Sequence, residues 1–93
     1  MRQPIAPWRL GKCQALTTGA VAVATAALTN YGVMLVATQD CHVKIGNGVI
    51  AVAGDSLIRA GFPPLVFACA PGEVVSVIED TTPGTLYVTE LSY

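Results

Sequence analysis

The sequence predicts an all-β fold, a small β-sandwich or jelly-roll-like barrel of about eight short strands. Two observations predict it. Valine, threonine and alanine dominate, whereas glutamate, lysine and glutamine, which usually cover exposed helix faces, are scarce. From Cys13 onward, short apolar runs alternate with glycine, proline and asparagine turn signals. A length of 93 residues fits one such domain.

The chain divides into an extended N-terminal arm, residues 1–12, and a single β domain, residues 13–93. The arm has two prolines and no apolar period, and three of the five basic residues of the chain lie in it. Trp8 either grips a neighbouring chain or folds back onto its own core, and the sequence leaves both open. The candidate interface residues are Arg2, Pro4, Pro7, Trp8, Arg9 and Lys12.

The first strands of the β domain are less sharply marked than the third. Residues 14–17 and 20–25 are possible strands, and residues 26–28 form either strand or a short helical turn. Residues 31–38 (YGVMLVAT) predict a strong strand that is apolar on both faces. Such a strand is buried on both sides, by a second sheet or by a partner.

Residues 41–45 alternate between apolar and polar side chains. Cys41, Val43 and Ile45 are predicted to point inward, and His42 and Lys44 outward. The Asn-Gly pair within residues 46–48 is a strong hairpin signal, because both turn positions need a positive φ. We therefore expect residues 49–53 to pair back on residues 41–45.

The remainder of the chain predicts further short strands separated by turns. Glycine and proline fix these turns, and two Pro-Gly pairs have the residues of a type II turn. The predicted order is a turn at Gly54-Asp55, a strand at 56–60, a strand at 65–70 that is apolar on both faces, a turn at Pro71-Gly72, a strand at 74–79, a turn at Pro83-Gly84 and a strand at 85–92.

The composition predicts a component of an assembly. The chain is 53% hydrophobic and only 12% charged, whereas an ordinary soluble domain carries about 25% charged residues. A domain of this size buries only about 60% of the surface of its unfolded chain, so the surplus apolar surface is expected to meet another protein. The net charge of −1 gives no basic footprint for nucleic acid. The longest apolar run is about half of the roughly 20 residues that span a membrane, so no membrane partner is expected.

The sequence does not predict an enzyme or a cofactor. His42 is the one histidine, and no common nucleophile, metal or phosphate motif occurs. Asp40 and His42, two residues apart, have the spacing to begin a metal site, and Glu79-Asp80 has the chemistry for weak calcium binding. Solvated polar groups beside turns are the favoured interpretation of both. The odd number of cysteines does not fit a disulfide framework, and Cys41 and Cys69 are expected to act as small core residues.

A glycan-binding β module is the alternative from a different class. If residues 1–28 acted as a signal peptide, it would be secreted, but Pro4, Pro7 and Trp8 interrupt that pattern. Carbohydrate sites normally need exposed aromatic residues close together. Here they are scattered along the sequence, at Trp8, Tyr31, Phe62, Tyr87 and Tyr93.

Three stretches resemble a family of small virion structural proteins of tailed bacteriophages. They are LVATQDCHVKIG, then AGFPP followed by a strand and APGEVVSVIED, and the closing GTLYVTELS. The resemblance covers about the last two-thirds of the chain. It implies a capsid decoration (cement) protein with a compact β fold, often a trimer on the virion capsid surface, bound to the major capsid protein and bridging its subunits. No catalytic residues belong to that family. A tail or head–tail connector component is the alternative in the same setting.

Overall fold

Antiparallel strands arranged in two sheets make up the computed structural model, which describes residues 9–61 and 63–92. No helix occurs within these residues. The strands are β1 Arg9–Thr17, β2 Val23–Ala24, β3 Gly32–Ala37, β4 Cys41–Gly46, β5 Ser56–Ile58, β6 Leu65–Ala68, β7 Val74–Glu79 and β8 Thr85–Ser92.

Each sheet has four strands. Sheet A has the order β1-β8-β3-β6, and sheet B has the order β2-β7-β4-β5. Every neighbouring pair is antiparallel. The predicted all-β fold of about eight short strands is therefore confirmed, as a two-sheet sandwich.

The core lies between the two sheets and consists of alternate residues of the central strands. Val33 and Leu35 of β3 and Val75 and Val77 of β7 belong to this core, and all four side chains are at most 1% exposed. Burying one such side chain contributes about 1.5–3 kcal/mol, so this layer supplies the main stabilisation of the fold. The other core side chains are Leu28, Ala37, Cys41, Val43, Ile58, Leu86 and Val88.

Strand β4 has the predicted alternation. Cys41 and Val43 are buried against the core, and Lys44 is exposed on the opposite face with the half-buried His42 beside it along the strand. Strand β3 is buried completely on one face only, because Met34 and Val36 on its other face remain partly exposed.

The predicted strand at residues 49–53 is wrong. This segment crosses the outer face of sheet B, where Ala51 is 2% exposed and its N–H donates to the Ser76 hydroxyl at 2.9 Å. A turn closed by the Asp55 N–H and the Val52 carbonyl, 3.0 Å apart, then reverses the chain. The position beside β4 is taken by β5 instead. The hydrogen bond from the Ala51 N–H to the Ser76 hydroxyl takes the place of the backbone hydrogen bonds that a hairpin would have made.

The turn predictions have mixed outcomes. Gly72 has a φ of +92°, and the Glu73 N–H donates to the Ala70 carbonyl at 3.1 Å, which confirms a type II turn at Pro71-Gly72. At Asn47-Gly48 only the glycine has a positive φ, +65°, so the expectation for both positions is wrong.

The expected type II turn at Pro83-Gly84 is also wrong, because Gly84 does not have a positive φ. Its peptide group is held from another loop. The Gly84 N–H donates to the Thr18 hydroxyl at 2.8 Å, and the Thr18 N–H donates to the Gly84 carbonyl at 2.8 Å. A long-range pair of hydrogen bonds therefore fixes this backbone where a local turn was expected.

The N-terminal part of the domain departs from the predicted elements. Strand β1 includes Arg9 and Lys12, which the sequence analysis assigned to the arm, and the boundary at residue 12 falls inside a strand. Of the possible strand 20–25, only Val23–Ala24 is a strand. Residues 26–28 form no helix and place the Leu28 side chain in the core.

Candidate interaction surface

The outer face of sheet A is the candidate interaction surface, and the strand register shows which side chains lie on it. Directly opposed residues of antiparallel strands point to the same side of a sheet. Val88 and Leu35 are opposed and point into the core, so their neighbours in sequence point outward. Tyr87 lies opposite Val36 and, on its other side, opposite Ala15. These three residues form one row that crosses three strands.

The second and third rows continue this face. Thr89 lies between Cys13 and Met34, and Val66 of β6 extends this row beyond Met34. The third row runs through Leu10, Leu91, Gly32 and Ala68. We define the sheet A outer face by its side chains: Leu10, Cys13, Ala15, Met34, Val36, Val66, Ala68, Tyr87, Thr89 and Leu91.

None of the side chains of the sheet A outer face is charged. Leu10 is 72% exposed, Val66 51% and Tyr87 42%, whereas Thr89 and Leu91 of the same face are buried, at 9% and 3%. A contiguous apolar patch on a sheet face marks an interaction site, whereas single exposed apolar residues are ordinary. The sheet A outer face therefore has the composition of a protein-binding surface.

The one charged residue of β8, Glu90, points to the other side of the sheet. Its side chain is 1% exposed, and its Oε1 accepts hydrogen bonds from the Thr29 N–H at 2.8 Å, the Thr29 hydroxyl at 2.9 Å and the Asn30 N–H at 3.1 Å. Burial of a carboxylate is tolerated where donors satisfy it. In β8 the charged side chain therefore points inward together with Leu86 and Val88, and Tyr87 is the exposed apolar side chain on the outer side.

The outer face of sheet B differs because a loop covers it. Residues 47–55 cross it, and a polar cluster on this face holds the end of the loop. The His42 Nδ1–H donates to the Asp55 carbonyl at 2.9 Å, and Lys44 lies 3.8 Å from the Asp55 carboxylate. The Val52 N–H donates to the same carboxylate at 2.8 Å. The loop therefore covers part of this face, while its own Ile50 and Val52 side chains are 70% and 54% exposed.

His42 also contacts the β7–β8 loop, where its Nε2 lies 2.8 Å from Asp80 Oδ1. The hydrogen bond to Asp80 raises the pKa of His42 above its ordinary value, with a further contribution from the hydrogen bond to the Asp55 carbonyl. A carbonyl only accepts, so Nδ1 carries a proton, and the carboxylate favours a second proton on Nε2. His42 therefore links two loops, and protonation of Nε2 strengthens its contact with Asp80.

The geometry around Asp40 and His42 does not support a metal site that includes both residues. Asp40 Oδ1 accepts the Ala60 N–H at 2.7 Å and is not the partner of His42. Asp80 is the partner of His42, and the two were not connected in the sequence analysis. Within residues 9–61 and 63–92, no group of three or more histidine, cysteine, aspartate or glutamate side chains is arranged to hold a metal ion.

The cysteines are all free thiols. Burial raises the pKa of Cys41 to about 11, with a smaller contribution from Asp40, and burial also raises the pKa of Cys69. A nucleophilic cysteine needs a lowered pKa, so these two thiols have the character of core side chains. The expectation for Cys41 is confirmed by its complete burial, and Cys69 packs partly buried against the core.

A groove of about 290 Å³ lies between the β5 edge of sheet B and the β6 edge of sheet A. Its floor is apolar, and two charged side chains stand beside it. The lining residues are Val43, Lys44, Ile45, Asp55, Ser56, Ile58 and Phe67. No pattern in the sequence indicates this groove, because its position depends on which strands become sheet edges.

Of the predicted interface residues, the structure places only Arg9 and Lys12. Both are exposed on β1, at the edge of sheet A. Arg2, Pro4, Pro7 and Trp8 lie outside the described residues, as do Phe62 and Tyr93. The sheet A outer face itself was missed. The sequence pattern of β8 could have indicated this face, because Tyr87, Thr89 and Leu91 alternate with Glu90 and therefore lie on the opposite side of the strand from it.

Comparison with known proteins found no matching family model, no matching curated protein and no matching solved structure. No helix in the described part of the chain has the length and apolar character to cross a membrane.

Proposed function

We propose that this chain is a structural virion protein that decorates and stabilises the head of a tailed bacteriophage. The uncharged sheet A outer face carries this proposal, since it suits attachment to a large protein surface better than residence in water. The sequence stretches that resemble phage virion proteins supply the setting. In this proposal the face, together with the basic N-terminal segment, binds the major capsid protein.

The proposed mechanism is mechanical and needs no chemistry. Each copy bridges neighbouring capsid subunits, and many weak, repeated contacts add up to resist internal pressure. The sandwich supplies a rigid body, because its two sheets share one packed core. The outer face of sheet B, covered by residues 47–55, points away from the shell in this arrangement.

Charge placed on the sheet A outer face tests the proposal. Ala15→Lys and Tyr87→Glu change exposed positions of one row without touching the core. Val52→Lys is the matched control, because Val52 is 54% exposed on the loop over sheet B. The measurement is co-sedimentation with purified phage heads that lack the protein, with thermal melting to verify the fold.

We expect both face variants to lose head binding while the control keeps it. Binding to tails and not to heads would move the protein to the tail or connector alternative. Undiminished head binding by both face variants, with folds intact, would exclude the sheet A outer face as the attachment surface.

A glycan-binding role is the weaker candidate on the described residues. The exposed tyrosines Tyr31 and Tyr87 are not neighbours, because Tyr87 lies opposite Val36, five residues further along the chain from Tyr31. Five strand residues span about 16 Å, which is too far for both rings to stack on one sugar. Binding to a glycan panel, lost in Tyr87→Ala, would favour this role over attachment to a capsid.

A further inference from the structure

The free edge of β6 differs from the other three sheet edges. Strand β1 carries Arg9 and Lys12 and has a register shift between Leu10 and Cys13, and such features protect an edge from pairing. Strands β2 and β5 are only two and three residues long. Strand β6, Leu65–Ala68, has the sequence LVFA, without a charge or a bulge.

The register fixes which backbone groups β6 presents at that edge. The Cys69 N–H donates to the Tyr31 carbonyl at 3.0 Å, so residues 65, 67 and 69 bond to β3. Alternate residues of an edge strand point their backbone groups the other way. The N–H and C=O groups of Val66 and Ala68 therefore face outward, and no described strand pairs with them.

We propose that β6 pairs with β6 of a second copy of this chain, antiparallel and centred on Phe67. In this register the Val66 N–H donates to Ala68 of the second copy, the Ala68 N–H donates to its Val66, and the two-fold axis repeats both bonds. Phe67 lies opposite its own equivalent in a non-hydrogen-bonded pair, where side chains approach most closely. The two A sheets become one continuous eight-stranded sheet.

A second copy is the occupant that this edge suits best. A two-fold contact brings the same surface to both sides, so it must be self-complementary. An uncharged strand with free backbone groups at alternate residues meets that condition, since no like charges face each other. Phe67 is 38% exposed and already lines the apolar groove beside Ile58, so an opposing phenylalanine ring has apolar surface to cover.

This proposal is independent of the proposed function. It predicts two copies, whereas the resemblance to decoration proteins implies three. A three-fold ring joins two different surfaces and cannot pair an edge with itself. The dimer leaves most of the sheet A outer face free, because that face lies on β1, β8 and β3 as well as on β6.

The test is sedimentation equilibrium of the full chain and of charge-swap variants. The wild type is expected to be a dimer. Phe67→Lys and Phe67→Glu each place like charges opposite one another, so each is expected to weaken the dimer by roughly tenfold or more. An equal mixture of the two variants is expected to restore dimers, because opposite charges then meet. Leu57→Lys, at an exposed position of β5, is the matched control and stays dimeric.

A second measurement covers the case in which the charged variants fail to fold. Opposed residues of a non-hydrogen-bonded pair have Cα atoms about 4.5 Å apart, within the range of a disulfide. Phe67→Cys is expected to form a disulfide between its two copies on mild oxidation, identified by peptide mapping to distinguish it from Cys13. A monomeric or trimeric wild type, no rescue in the mixture, or no 67–67 cross-link would each overturn the proposal.

Discussion

The Thr29 backbone N–H and hydroxyl both donate to Oε1 of Glu90, at 2.8 and 2.9 Å, across 61 positions of sequence. This contact ties the β2–β3 connection to β8 and satisfies a carboxylate that is almost completely buried. It also explains how β8 keeps its outer face uncharged. The position of Glu90 therefore connects the stability of the fold to the surface that we assign to a partner.

Two replacements of Glu90 are expected to distinguish the contribution of its charge to stability from the contribution of its hydrogen bonds. Glu90→Gln keeps an acceptor at the same place and should cost about 1 kcal/mol in the free energy of unfolding. Glu90→Leu leaves the Thr29 and Asn30 donors without this partner and should cost about 3 kcal/mol. Urea unfolding measures both. Glu79→Gln, which changes an acid at the end of β7, is the control, and an equal loss in all three variants would contradict this assignment.

The link between His42 and Asp80 predicts a dependence of stability on pH. The folded pKa of His42 is raised, so the stabilisation is fully present below the unfolded pKa of about 6.5 and is lost as the pH rises through the folded value. Wild type should therefore exceed His42→Gln in unfolding free energy by about 1 kcal/mol near pH 5, and by less near pH 9. Thermal melts of both proteins over that range test it. A difference that grows with pH would show that the sign is wrong.

The two residues of the Asn47-Gly48 turn are expected to respond differently to substitution. Gly48→Val forces a β-branched residue into a positive φ and should cost about 1–2 kcal/mol, although a side chain there meets no neighbouring atom. Asn47→Val should change little, since Asn47 does not adopt a positive φ. Gly54→Ala is the control, because Gly54 has open space and no positive φ. Equal melting of the Gly48 and Asn47 variants would contradict the turn described.

Two N-terminal deletions are expected to distinguish residues needed for attachment to phage heads from residues needed for folding. Deleting residues 2–8 should reduce attachment to heads and leave the fold intact, as measured by particle occupancy and thermal melting. Deleting residues 2–12 also removes the pairs Arg9–Ser92 and Leu10–Leu91, so it should lower the melting temperature as well. Unchanged occupancy after the shorter deletion would remove residues 2–8 from the proposed interface.

Much of the fold could be predicted from local patterns. The alternation in residues 41–45 gave the correct faces of β4, and Pro71-Gly72 gave a correct turn, because in both places neighbouring residues decide the backbone. The predictions for residues 49–53 and for Pro83-Gly84 were wrong, because there a distant group decides the backbone conformation. Ala51 bonds to Ser76 and Gly84 bonds to Thr18, and no feature of the nearby sequence indicates either partner.

The candidate surface was harder to predict than the fold. Excess apolar composition indicated that some surface should be covered, but not which one. The location depends on the order of strands in sheet A, which places β1, β8, β3 and β6 side by side from distant parts of the chain. The inward direction of Glu90 depends on donors 60 and 61 residues away. Such long-range contacts are not visible in one sequence.

The turn at the tip of the loop over sheet B has a practical consequence. Val52, Ala53 and Gly54 are exposed there, on the opposite side of the sandwich from the sheet A outer face. In the proposed arrangement on a phage head, a short peptide inserted between Ala53 and Gly54 would project away from the shell. Attachment through the sheet A outer face, as proposed, would thus leave the other side of the molecule available for displaying foreign epitopes.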